Sequence, residues 1–296
     1  MCIVVHMIKV VTHSGGFHGD DVFAVAAFQL LLGKENVAVI RTRDEAVIAD
    51  GDYVVDVGGV YDAAHRRFDH HQPGAPVREN GIPYAGFGLM WKHYGEEICG
   101  SKEVADKIEE KLCVPIDASD NALNIWQLGQ FELAPLEWDD ILQVWRAEPT
   151  RGEDMDEQFL KAVDVARAYL ERVIQRGKIK LVLKEKAAAL YESSSEHSIL
   201  ISDEYVPRSE YIQHEDVNMV VIPRFDDNPG WCAVGVQVSE SDYLTRIRFP
   251  EEWAGLRDDE LAKVSGIQDA VFCHKDRYLF IAKSKESAIA AARMAK

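Results

Sequence analysis

The sequence predicts an α/β protein in two parts, a parallel-sheet domain over residues 1–192 and a smaller α+β domain over residues 198–296. Three observations predict it. Short β-branched runs alternate with a helix-length apolar stretch near the N-terminus. The middle of the chain reads as helix, and short strand-like runs resume beyond a polar stretch.

Met7–Thr12, Val37–Arg41 and Tyr53–Val57 are short and apolar, as strands buried on both faces tend to be. Between the first two lies Asp21–Leu32, too alanine-rich for a strand and ending near Gly33, which makes it a helix. Strand, helix, strand and strand again imply a parallel sheet with crossover helices. Tyr84–Ile98, Ser101–Leu112 and Asp154–Gln175 carry helix-period apolar positions, and the tendency continues weakly through Ala187–Tyr191. The polar stretch Glu192–His197 is the expected linker. Beyond it, Ser198–Ile201, Val217–Pro223, Trp231–Val238, Tyr243–Phe249, Val271–Cys273 and Tyr278–Ala282 read as strands. Pro250–Val264 and Ser287–Ala295 read as helices.

Composition narrows the function. The 296 residues are 47% hydrophobic and 28% charged, a globular balance. No apolar run reaches the ~18 residues of a membrane span, and Met1–Val11 lacks the marks of a secretory or transit signal. The simplest location is the cytoplasm. Five dispersed cysteines without a Cys-x-x-Cys pair fit a reducing compartment and give no thiolate zinc site. Fifty acidic against thirty-three basic residues leave a formal charge of −17. A protein that grips long nucleic acid needs a basic surface, so a long duplex is a poor substrate. A short oligonucleotide or a nucleotide in a local cleft stays open.

Four segments gather histidine and aspartate in the first 121 residues. Thr12–Asp21 follows the first strand, and its glycines permit a turn that aims His13, His18 and Asp20 into one space, a ligand set suited to Mn²⁺, Zn²⁺ or Fe²⁺. Its plainer reading is a helix cap at Asp20 or Asp21 beside surface histidines. Asp56 ends an apolar strand before Gly58 and Gly59, where burial is costly unless the carboxylate is paired or coordinated. The plainer reading is a turn aspartate. In Asp69-His70-His71 one histidine can ligate a metal while the aspartate fixes a tautomer, and the other can donate to a phosphate oxygen. Asp117 and Asp120 lie three apart, on one face if helical, and are otherwise an exposed acidic face. Together the four segments supply ligands for two metals with an open position.

These motifs, with Arg-Thr-Arg-Asp (41–44), Asp-Val-Gly-Gly-Val-Tyr-Asp (56–62), Arg-Phe-Asp-His-His-Gln (67–72), Gly-Leu-Met-Trp-Lys-His-Tyr-Gly (88–95), Arg-Phe-Pro-Glu-Glu-Trp-Ala-Gly-Leu-Arg (248–257) and Val-Phe-Cys-His (271–274), strongly resemble the Myg family. That family, sometimes labelled metal-dependent protein hydrolases, is related to the DHH phosphoesterases. The resemblance covers nearly the whole chain. It implies a DHH-like parallel-sheet catalytic domain, a C-terminal substrate-binding domain, and a dinuclear site, usually Mn²⁺. Carried over, His13, Asp20, Asp56, His70 and Asp120 match ligand positions, with Asp56 as the bridge. His18 falls where many DHH enzymes have an aspartate and becomes a substituted ligand. His71 and Asp69 become phosphate contact and orienting partner, and Arg41 and Arg43 phosphate-binding candidates, a surface ion pair being the ordinary alternative. The first motif departs from the family's usual His-Cys-Asp-Glu at Gly19 and Asp21, and Ala122 stands where a glycine is usual. The glycine-rich substrate loop of DHH relatives is missing. Arg246, Arg248, His274 and Lys275 are then the residues expected to meet the substrate, unless they form only a charged rim with one buried histidine.

The expected activity is hydrolysis of a phosphate ester, with two metals ~3.5–4 Å apart activating a water and stabilising the leaving oxygen. A 3′–5′ exonuclease on short single-stranded RNA or DNA is preferred. The alternatives are a hydrolase of a small phosphorylated metabolite, a cyclic dinucleotide or polyphosphate, and a non-catalytic metal- or nucleotide-binding regulator. A protease is weakest, because no His-Glu-x-x-His occurs. A homodimer is compatible with the sequence.

Overall fold

The structure, a computed structural model, describes residues 7–224, 228–239 and 244–296. The chain divides into two compact units, Met1–Lys178 and Ile179–Lys296. The reading of Met1–Val11 falls partly, and Cys2 wholly, outside the described residues.

The first unit opens with β1 (Ile8–Thr12), α1 (Gly19–Leu32), β2 (Val37–Arg41), α2 (Glu45–Ala49), β3 (Tyr53–Val55), β4 (Tyr61–Asp62) and β5 (Arg67–Phe68). Its sheet has the order β2-β1-β3-β5-β4, as expected of an α/β fold. β1 runs parallel to β2 and β3, β3 runs parallel to β5, and β4 pairs antiparallel with β5. The chain therefore leaves β1 towards one neighbour and returns on the other side of it. Open α/β sheets bind ligands at the carboxyl ends of strands where the order reverses in this way. His13, Asp56 and Asp69 directly follow β1, β3 and β5.

α1 is buried from Gly19 through Gln29 and packs on α3 (Gly86–Cys99). A helix apolar on every side belongs inside a protein, which explains its lack of a polar face. α4 (Lys102–Ile108) passes through a π-helical turn, Glu109–Cys113, into α5 (Val114–Asp120). The sequence reading stopped this helix at Leu112. Pro115 lacks an amide hydrogen and crowds the carbonyl four residues back, and the widened turn accommodates it, so the helix continues to Asp120. α6 (Trp138–Leu142) follows, then α7, one 39-residue helix from Met155 to Ser193. Gly177 does not break α7; a Cβ there would lie 2.7 Å from Val104 Cγ1, so this glycine serves close packing. α7 crosses the division between the units and ends where the polar stretch begins.

The second unit holds β6 (Ile199–Ile201), β7 (Met219–Pro223), β8 (Trp231–Gly235), α8 (Asp258–Ser265), β9 (Ala270–Cys273), β10 (Leu279–Ala282) and α9 (Lys285–Met294). The sheet order is β6-β7-β8-β10-β9, with only β6–β7 parallel. Phe249, Trp253 and Phe280 centre its core. Of the expected strand Tyr243–Phe249, Tyr243 lies outside the described residues and the remainder makes one isolated bridge, Thr245 with Gln237. The expected helix from Pro250 is delayed: a 3-10 turn, Glu251–Trp253, and Gly255 at φ +75° precede α8. Among the described residues no helix is long and apolar enough to cross a membrane, and Cys99, Cys113, Cys232 and Cys273 form no disulfide with one another.

Candidate metal centre

The three strand-end loops converge on a cavity of about 750 Å³ whose lining runs from His13 to Ala122. The loop after β3 turns sharply: Asp56, Gly58 and Gly59 have φ of +54°, +97° and +69°. The glycines take this region freely, whereas for Asp56 it costs about 1–3 kcal/mol, a strain characteristic of functional positions. Its amide donates to the Phe68 carbonyl at 3.2 Å, which fixes the carboxylate over the cavity floor.

Asp56 faces two histidines, one with each oxygen. Oδ2 is 3.2 Å from His13 Nε2 and Oδ1 is 3.4 Å from His70 Nε2. On the first side, Asp21 Oδ2 also lies 3.2 Å from His13 Nε2. On the second, Asp120 Oδ2 lies 3.1 Å from His70 Nε2. His13 Nδ1 is 3.2 Å from the Ser14 carbonyl oxygen and 3.4 Å from Arg43 Nη2.

Three atoms in this space, Asp21 Oδ2, Asp56 Oδ1 and His70 Nε2, are buried with these ion-pair approaches but no well-aligned hydrogen bond among the described residues. Buried polar atoms so incompletely satisfied are costly, and here they gather around Asp56. Ligand atoms of His13, Asp21 and Asp56 lie within 4.8 Å of one another, as do those of Asp20, His70 and Asp120. A further group, Asp56, Asp69, His70 and His71, overlaps both. Mixed imidazole and carboxylate sets of this kind fit divalent metal ions.

The electrostatics point the same way. Burial and the neighbouring Asp56, Asp120 and Asp117 push the Asp20 carboxyl well above the usual range. Burial also raises Asp21 to about 7, with His13 pulling back. Burial works against the charged forms of His70 and Asp56, yet their partners prevail. Asp120 and Asp56 raise His70 to about 11, and His13 and His70 lower Asp56 to about 2. Carboxylates packed this closely repel one another unless cations intervene.

Each expected site residue has a definite place. Asp20, on α1, accepts the Gly86 and Phe87 amides at 3.0 and 2.6 Å. His18 lies on the cavity wall, its ring 6.3 Å from that of His13, and its amide donates to Asp21 at 2.8 Å. Asp69 is buried and accepts from the Gly59, His70 and His71 amides and from His71 Nδ1 at 2.7 Å. His71 is thereby held through Nδ1, its other nitrogen making no hydrogen bond among the described residues, and 63% of its side chain is exposed. Arg43 lines the cavity. Arg41 instead braces the wall: it donates to Gly15 O and Asp156 at 2.7 Å each and lies 4.4 Å from the centre of the Phe159 ring.

Four expected substrate residues lie in the second unit. Arg246 sends its guanidinium to the carbonyls of Tyr211, Ile212, His214 and Val217. The Arg248 backbone pairs with that of Lys296. His274 Nδ1 accepts the Asp276 amide at 3.1 Å, and Lys275 is exposed.

Asp21 was not among the expected ligands. Adjacent residues on a helix point in different directions, so Asp20 reaches α3 while Asp21 reaches His13. Arg78 was also missed: its guanidinium meets Asp117 at 2.6 Å, a partner 39 residues away that no local pattern reveals.

A family model described as "Uncharacterised protein family (UPF0160)" matches residues 9–295. The MYG1 protein of Dictyostelium discoideum is 31% identical, covering 95% of this chain and 94% of its own length. The MYG1 protein C694.04c of Schizosaccharomyces pombe is 26% identical, with 98% of each chain covered. The MYG1 exonuclease of Homo sapiens is 28% identical, covering 96% of this chain and 85% of its own. No solved structure matches significantly.

Proposed function

The chain belongs to this family, the Myg family, and from that premise we propose that it is a metal-dependent phosphodiesterase, a 3′–5′ exonuclease acting on short single-stranded RNA or DNA. The observation that carries this reading is Asp56, set between His13 and His70 with a further carboxylate beyond each. The strand-end placement of Asp69-His70-His71 supports a DHH-like organisation. Bound as a pair at these two positions, Mn²⁺ ions would supply Lewis acidity and a hydroxide nucleophile at neutral pH.

On this reading His13, Asp21, Asp56, Asp20, His70 and Asp120 hold the ions. His71, with its Nδ1 proton on Asp69, offers Nε2 to the phosphate or to the leaving oxygen. The arrangement matches a general acid oriented by a carboxylate. Arg43 neutralises charge on a phosphate in the cavity. The exonuclease part of this reading is supported by relatives named MYG1 exonuclease, in human and rat. The formal charge of −17 favours short substrates.

The test is incubation of metal-stripped protein with a 5′-labelled short RNA, with and without Mn²⁺, beside His70→Ala. Shortening from the 3′ end that needs Mn²⁺ and disappears in the variant is the expected result. If wild type and variant are equally inert while wild type binds metal, the exonuclease reading is wrong. Turnover of a cyclic dinucleotide or polyphosphate would then identify a small-phosphoester hydrolase.

A further inference from the structure

Helix α3 begins without a side-chain cap, because its N-cap residue is Ala85. The first amides of a helix have no partner within it and must find one elsewhere. Here Gly86 and Phe87 donate to Asp20, and Gly88 donates to Asp117 Oδ1 at 3.1 Å. One helix start therefore receives two carboxylates, one from α1 and one from α5. Asp20 reaches the His70 side of the centre directly. Asp117 does not reach it, but it stands one helical turn before Asp120, which does.

Asp117 is fully buried, and Arg78 offsets its charge at 2.6 Å. Arg78 is pinned in turn by Glu109 at 2.8 Å and the Pro83 carbonyl at 3.2 Å, with its guanidinium 3.8 Å from the centre of the Tyr84 ring. The fit leaves no slack at Gly88, where a Cβ would lie 1.8 Å from Asp117 Oδ2 and 2.5 Å from Arg78 Nη2.

We propose that Arg78 and Asp117 are a positioning pair that seats α5 on the start of α3 and so places Asp120 at the His70-side ion position. The inference rests on the two-ion reading above and assigns the pair to one of the two positions. The His13-side ligands, on the loops after β1 and β3 and at the start of α1, make no direct contact with Arg78 or Asp117 among the described hydrogen bonds. Loss of the pair therefore weakens one ion selectively. Groups that orient metal ligands are typically worth about tenfold to a hundredfold in metal affinity.

The experiment is calorimetric Mn²⁺ titration of the full chain, with electron paramagnetic resonance to detect coupling between paired ions. It compares wild type, Arg78→Lys and the double variant Arg78→Met/Asp117→Asn, which removes both charges of the pair and leaves the part-exposed Glu109 to solvent; circular dichroism establishes that each is folded. Wild type is expected to bind two coupled ions. The double variant is expected to keep one at wild-type affinity, bind the other at least tenfold more weakly and lose the coupling signal, with Arg78→Lys in between. Two ions bound unchanged by the double variant, or both weakened alike, overturn the pairing while leaving the two-ion reading intact. Wild type without two ions overturns that reading and the inference with it.

Discussion

Replacing Asp56 by asparagine keeps the side chain's shape and removes the charge that faces both His13 and His70. In the metal-free protein the Asp56 carboxyl stands at about 2 against an ordinary 3.8. At ~1.4 kcal/mol per pKa unit, that gap is worth roughly 2 kcal/mol. A depressed carboxyl contributes this stability above its unfolded value and loses it as pH falls through the folded one. The variant should therefore unfold in urea roughly 2 kcal/mol more easily at neutral pH, and the difference should close as pH falls towards about 2. With metal the effect grows, because an uncharged amide cannot serve two cations. Supporting groups alone change metal affinity by about tenfold to a hundredfold, so loss of a shared ligand should weaken both ions by more than about a hundredfold, roughly 3 kcal/mol each. Urea unfolding in chelator and calorimetric Mn²⁺ titration read the two effects separately. An asparagine variant that binds two ions as wild type does, or loses only one, refutes Asp56 as the bridge.

Gly88→Ala forces a Cβ against Asp117 and Arg78 and should cost about 3 kcal/mol or more, roughly 6–12 °C in a melting curve, whereas Gly16→Ala, with nothing within 4 Å, should be nearly silent. Arg41→Ala should lower stability by about 2 kcal/mol through its lost bonds to Gly15 and Asp156. Arg43→Ala should leave the melting temperature alone and raise KM for RNA. In metal-free protein the folded state holds extra protons on Asp21, between 3.8 and about 7, and on His70, between 6.5 and about 11. Both shifts have the same sign, so stability should fall as pH rises from about 5 to about 9. Mn²⁺ displaces those protons, so its affinity should climb over the same range, with proton release measurable by calorimetry in buffers of different ionisation enthalpy.

The parallel sheet and the histidine and aspartate at the ends of β1 and β3 were legible because β-branched runs announce buried strands and the next residue then has a fixed place. His13 and Asp56 could be placed in this way, whereas His70 follows the two-residue strand β5, which carries no β-branched run, and stood out only through the Asp-His-His composition. Which of Asp20 and Asp21 faces His13 turns on side-chain direction at a helix start, which residue type does not encode. Asp117 could be seen as a carboxylate one turn from Asp120, but not as the partner of Arg78, since long-range pairing leaves no periodic trace. Arg41 shows the converse: an arginine at a strand end looks like a phosphate ligand until the ring of Phe159 and the carboxylate of Asp156 come into view. The helix through Pro115 was hidden because a π-turn reverses the usual meaning of proline.

The most direct measurement is anomalous diffraction at the manganese edge from crystals grown with Mn²⁺. Two peaks flanking Asp56 are predicted, one beside His13 and Asp21 and the other beside His70 and Asp120. A single peak, or peaks away from Asp56, would contradict the account.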